Sequence, residues 1–129
     1  MMLVKDVMVT DVVRVSAFAK LREALSLMKK HDLKSLVVER QGPHDAWGII
    51  TYTNVLKTVI AEDGDIDLLN VYDACAKPAL AVSENLAVRH AASLMITHRI
   101  KRLLVTRNEE LLGFVTMDDI MSALLETIE

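Results

Sequence analysis

The 129 residues predict an α/β (α+β) fold built from two pseudo-symmetric β-α-β-β-α units. Internal repetition is the first observation: residues 4–40 align without a gap onto 71–107, with roughly fourteen identities in about 37 pairs, and a repeat of this size governs every other fold assignment. The shared positions include Asp6 with Asp73, Arg22 with Arg89, Ala24 with Ala91, Met28 with Met95, His31 with His98 and Lys34 with Lys101. The match resumes at Gly48-Ile49-Ile50-Thr51 against Gly113-Phe114-Val115-Thr116, after a hairpin about two residues shorter in the second copy. The second observation is that apolar runs of strand length alternate with helical periodicity in the same order in both copies.

Copy one opens with a strand at 12–15, followed by a helix over 19–30. Its hairpin uses 35–38 and 47–51 around Gly42-Pro43, and a helix over 53–61 closes it. In copy two, 79–82 is the first strand and Ser83 is a candidate N-cap for a helix over 86–97, where Val88, Ala91, Ala92 and Met95 recur at helical spacing. Strands at 103–106 and 111–116 flank the polar loop 107–110, and a helix over 118–126 places Ile120, Met121, Leu124 and Leu125 on one side. The organisation is therefore a first motif over 1–61, an acidic linker leading into the second motif over 62–70, and a second motif over 71–129. The run Glu62-Asp63-Gly64-Asp65-Ile66-Asp67 lacks the ligand spacing of a calcium loop and reads as a solvated linker.

Half of this chain is too small to bury a sufficient core alone, so the copies are expected to fold against each other. About half the residues are apolar (52%), yet no uncharged run approaches the ~18 residues of a membrane span. The N-terminus does not follow a signal-peptide pattern, and the expectation is a cytoplasmic protein without membrane insertion. A single cysteine, Cys75, allows no internal disulfide. A net charge of −3 with 4% aromatic residues lacks the basic footprint and stacking platform of a nucleic-acid binder.

Chemistry concentrates at Gly113, Thr116 and Asp119, where a strand hands over to a helix. A helix N-terminus offers unpaired N–H groups and partial positive charge to a phosphate, and the Thr116 hydroxyl adds a donor. Asp119, about one turn on, can accept from both hydroxyls of a ribose. The same residues also suit a plain N-cap with an acid in the first turn. Lys101 and Arg102 add cations that can reach phosphate or simply form a solvated rim. Copy one keeps Lys34 but has Ser35 for Arg102 and Asn54 for Asp119, which makes it the weaker site. His31 and His98 close their helices, and no cluster recruits them to a metal. Trp47 is expected to pack at the hairpin, and the methionines to fill the core.

The order of elements, the His98-Arg99-Ile100-Lys101-Arg102-Leu103-Leu104-Val105 strand entry and the Gly113-Phe114-Val115-Thr116-Met117-Asp118-Asp119 ending resemble the cystathionine-β-synthase (CBS) domain pair over nearly the whole chain. The resemblance implies two motifs packed through their sheets into one module with two clefts, no attached catalytic domain, and homodimerisation. It implies a regulatory module, not an enzyme, that binds AMP, ADP or ATP between the motifs and signals to a separate partner protein. An S-adenosylmethionine sensor and a ligand-free dimerisation or interaction module are the alternatives, and no metal is required. By position, the ribose and phosphate residues are Thr116, Asp119, Lys101 and Arg102, and the adenine-lining residues are Cys75, Leu80, Ile100 and Phe114. The weaker second cleft falls on Met8, Val13, Leu33, Lys34, Ile49, Thr51 and Asn54.

Overall fold

A computed structural model describes residues 1–128. The elements run α1 (Val4–Val7), β1 (Arg14–Val15), α2 (Leu21–His31), β2 (Ser35–Val38), β3 (Gly48–Thr51) and α3 (Tyr52–Val55), which passes into a π-helical segment, Leu56–Ala61. They continue with α4 (Val71–Ala74), β4 (Ala81–Ser83), α5 (Val88–His98), β5 (Arg102–Arg107), β6 (Glu110–Thr116) and α6 (Met117–Leu125). No helix among the described residues is long and apolar enough to cross a membrane.

Each copy builds a three-stranded sheet with the same topology. β1 runs parallel to β2 and β2 antiparallel to β3, and β4, β5 and β6 repeat the pattern. A parallel pair needs a crossover, and α2 and α5 supply it. Both helices end on a left-handed residue, Asp32 at φ 52° and Arg99 at φ 55°, directly after His31 and His98. The N–H of the next residue returns to the helix, Leu33 to the Met28 carbonyl at 2.9 Å and Ile100 to the Met95 carbonyl at 3.0 Å. This C-terminal closure turns Leu33 and Ile100 back onto their cores before the chain enters β2 and β5. The β5–β6 turn is tighter than the four-residue loop expected: Asn108 and Glu109 both take positive φ, as a two-residue hairpin of matched twist requires.

Two compact units result, and their boundaries cut across the repeat. One is contiguous, Val13–Ala79; the other joins Met1–Val12 to Leu80–Glu129. In the contiguous unit, Val15, Leu21, Ala24, Met28, Leu36, Val38 and Ile50 form a buried cluster that α4 completes with Val71. In the composite unit, Ala91, Met95, Leu103, Val105 and Val115 occupy the equivalent positions, and α1 completes them with Val4. Val4 and Val71 are aligned residues, each with 0% exposure, and each fills the core formed by the other copy's sheet. The duplicated acids beside them tie down these short helices: Asp6 accepts from the Leu3 N–H and Asp73 from the Asn70 N–H, both at 2.8 Å.

Glycines 48 and 113 mark where the exchanged segments cross. Val9 pairs with Phe114 through N–H to carbonyl bonds of 2.8 and 3.0 Å, and Ala76 pairs with Ile49 through two of 2.9 Å. A Cβ on Gly113 would collide with the Val9 carbonyl oxygen, and one on Gly48 would lie 3.1 Å from that of Ala76.

Several expected features differ. Ser83 does not cap α5; its hydroxyl accepts from the Asn85 N–H, and the helix starts after Ala87. The 62–70 segment is more than a solvated linker: the Ile66 and Leu69 carbonyls accept from the Arg22 and Leu21 N–H groups, and both side chains pack on the contiguous core. Asp67 pairs bidentately with Arg22, which holds its carboxyl below the usual range through that hydrogen bond.

Candidate functional site

The strand-to-helix junction of the composite unit brings Thr116, Asp119, Arg102 and Lys101 together. β5 and β6 place Arg102 directly opposite Thr116, and the Lys101 carbonyl accepts from the Met117 N–H at 2.9 Å. Thr116 caps α6: its hydroxyl oxygen accepts from the Asp119 N–H at 3.1 Å, and its own N–H donates to Asp119 Oδ2 at 2.9 Å. This reciprocal pair is a capping box, so the plain structural role weighed from sequence is present.

The box leaves specific valences over. Asp119 Oδ1 takes no hydrogen bond from any described residue, and the Thr116 hydroxyl proton is likewise uncommitted. The first and third amides of α6 are occupied by Lys101 and Thr116, while the second, the Asp118 N–H, is an orphan donor of the helix start. Arg102 is half-buried. Burial pushes its guanidinium below the usual range, and the carboxylates of Asp118 and Asp119 oppose that shift. Lys101 is exposed.

Copy one forms the same cap with different leftovers. Asn54 N–H donates to Thr51 Oγ1 at 3.3 Å, while Asn54 Oδ1 accepts both the Thr51 N–H at 2.9 Å and the Thr51 hydroxyl at 3.1 Å. The single acceptor oxygen and the hydroxyl proton are both consumed within the cap. What remains is an amide NH2, a donor, where copy two has a carboxylate oxygen, an acceptor. Ser35 stands opposite Thr51, the Lys34 carbonyl accepts from the Tyr52 N–H at 3.1 Å, and the Lys34 side chain is exposed.

The apolar residues group differently from the expectation. Cys75, expected beside Leu80, Ile100 and Phe114, packs on the core of the contiguous unit, as Val13 and Leu33 do, and directly precedes the Ala76–Ile49 pair. Met8, expected with Val13, Leu33 and Ile49, packs on the core of the composite unit, as Ile100 does, and directly precedes the Val9–Phe114 pair. The cause is the exchange of leading segments, because Met8 and Cys75 follow α1 and α4. Leu80 stays with the composite unit, its carbonyl accepting from the Leu104 N–H at 3.0 Å. Val13 does the same for Val37 in the contiguous unit, at 3.2 Å. Sequence reasoning missed Val9, Ala76 and Asp118; the repeated Gly48 and Gly113, beside which Ala76 and Val9 cross, were the available signal. Burial raises the Cys75 thiol, which disfavours its nucleophilic form. No cluster of three or more His, Cys, Asp or Glu among the described residues is arranged to hold a metal.

The chain matches the CBS domain model twice, over residues 4–61 and 71–126. The CBS domain-containing protein YhcV of Bacillus subtilis is 30% identical over 117 residues, which span 91% of this chain and 81% of that protein. The hexameric CBS-CP12 protein from bloom-forming cyanobacteria superposes with a TM-score of 0.91 at 31% identity, over 100% of this chain and 76% of its own. The CBS domain pair of protein MJ0100, solved with 5′-methylthioadenosine and S-adenosyl-L-methionine, shares the fold with a TM-score of 0.85 at 22% identity, over 98% of each chain. A duplicated α/β motif with a capped strand-to-helix junction in each copy is thus matched at both copies by one family model, and the chain belongs to the CBS-domain family.

Proposed function

We propose that this chain is a regulatory module in the cytoplasm that binds an adenosine nucleotide, AMP, ADP or ATP, at the Thr116–Asp119 junction and signals its presence to a separate protein. One observation carries the reading: the cap leaves a carboxylate oxygen and a hydroxyl proton uncommitted beside a half-buried guanidinium. Asp119 Oδ1 accepts from the ribose hydroxyls, the Thr116 hydroxyl and the Asp118 N–H donate to the phosphoryl group, and Arg102 balances its charge. Met8 and Ile100, half-buried on the composite core, and Phe114, half-buried on β6, are the apolar residues assigned to meet the base. The adenosine compounds bound by MJ0100 support the ligand class and keep S-adenosylmethionine as the second candidate. The role is binding, with no residue assigned to catalysis.

Calorimetric titration with AMP, ADP, ATP and S-adenosylmethionine tests the reading. One molecule per chain is expected, since copy one has spent its acceptor. At a hundred times its dissociation constant the ligand adds about 2.7 kcal/mol to the folded state. No heat and no thermal shift with all four compounds would overturn it. That outcome would favour an interaction module, for which α6 offers Met121, Leu124 and Leu125, exposed by 48%, 54% and 60%. Homodimerisation through such a face belongs to the same proposal, and sedimentation of the chain with and without nucleotide measures it.

A further inference from the structure

We infer that Asp118 is a specificity-determining residue that tilts this site toward adenosine ligands carrying no more than one phosphoryl group. The inference deepens the nucleotide reading and rests on it. The groups at the junction set the preference. On the donor side, the cap and the β5–β6 register leave the Thr116 hydroxyl, one amide and the Arg102 guanidinium, with the exposed Lys101 beyond them. On the other side stand two carboxylates, Asp118 and Asp119, in the first turn of α6. The four charged side chains sum to zero, so the junction has no surplus positive charge for a polyphosphate. Asp119 has a use in the cap, whereas the exposed Asp118 side chain takes no hydrogen bond from any described residue, and its own backbone N–H is the orphan donor of the helix start. The same two carboxylates act on Arg102, in keeping with their closeness to it. Copy one has Thr53 at the aligned position, so the fold does not need an acid there.

Adenosine, AMP and ATP, titrated without divalent metal into the full chain and into Asp118→Asn, test this. AMP should bind more tightly than ATP in the parent chain. Removing one carboxylate should strengthen ATP by roughly three- to tenfold, AMP by less and adenosine least, because each added phosphoryl group adds charge that one carboxylate repels. Raising the salt concentration should narrow the AMP–ATP gap in the parent chain. Asp118→Thr, the residue of the other copy, should act in the same direction as Asp118→Asn and guards against a folding defect in either variant. ATP binding as tightly as AMP in the parent chain, or one common factor for all three ligands in Asp118→Asn, would overturn the role of Asp118 and leave the nucleotide reading standing. Failure of all three to bind would overturn both.

Discussion

Replacing Asp119 by asparagine separates the two tasks of its carboxylate. In Asp119→Asn the side-chain oxygen can keep the bond from the Thr116 N–H, because Asn54 makes the same bond to Thr51 at the same 2.9 Å. The variant loses the attraction of a negative charge to the helix start, about 0.3–1 kcal/mol. Asp119→Ala loses that and the cap bond as well, a further cost of about 0.5–2 kcal/mol. For the ligand the order collapses, since both variants lack a free acceptor oxygen for the ribose. Losing a charged acceptor costs about 1–3 kcal/mol, or roughly 5- to 150-fold in affinity. Urea unfolding measures the first pair of numbers and calorimetry with AMP the second. The expected pattern is a mild stability loss with a large affinity loss in Asp119→Asn, and large losses of both in Asp119→Ala. Unchanged AMP affinity in Asp119→Asn would refute the ribose assignment, and equal destabilisation by the two variants would refute the division of the carboxylate into a capping and a binding oxygen.

Three further outcomes follow from the packing and the ion pairs. Gly113→Ala should cost about 1–3 kcal/mol, because the new Cβ meets the Val9 carbonyl oxygen, and Gly48→Ala should cost less, since its nearest atoms are 3.1 and 3.2 Å away; thermal melts rank them. Val4→Ala should cost about 1.5–3 kcal/mol and speed hydrogen exchange in β5 and β6, whereas Val71→Ala should do so in β2 and β3, the reverse of what their places in the repeat suggest. Asp45 is held below the usual carboxylate range by hydrogen bonds from Lys77 and the Gln41 N–H, and Asp67 by Arg22. Their folded-state values are depressed, so the stabilisation is present above the unfolded value of about 3.9 and disappears as pH falls through the folded values; the melting temperature should drop below about pH 4, with a flatter acid limb in Asp45→Asn combined with Asp67→Asn.

Much of the secondary structure was legible because its signals are local. Ala24, Met28, Ala91 and Met95 recur at helical spacing, and α2 and α5 form there with ends shifted by one or two residues. The four-residue helices α1 and α4 escaped notice because one turn has no period to detect. The π-helical Leu56–Ala61 escaped because its side chains read as ordinary helix. Pairing Val4 with the second copy's core was invisible for a different reason: a repeat reveals that two segments are alike, and Val4 and Val71 are identical, so neither says which sheet it covers. At the junction, the spacing of Thr116 and Asp119 placed the site. Spacing alone could not divide the carboxylate into one oxygen for the helix and another for a ligand.

That division explains why two copies with one fold differ at their junctions. The cap needs a single acceptor three residues after the threonine, and Asn54 and Asp119 both provide it, at equal distance from the capped N–H. A second acceptor contributes nothing to the cap, so the identity of this residue is left to the ligand. Glycine at 48 and 113 is under the opposite constraint, because a crossing backbone occupies the space of any side chain there whatever the site binds. Position 53/118 is freer still: its side chain takes no part in either cap, and an acid in one copy corresponds to a hydroxyl in the other. At the junctions, the glycine that a crossing backbone imposes is the same in both copies, and the two positions whose side chains the cap leaves partly or wholly open, 53/118 and 54/119, are those where the copies differ in charge and in hydrogen-bonding sense.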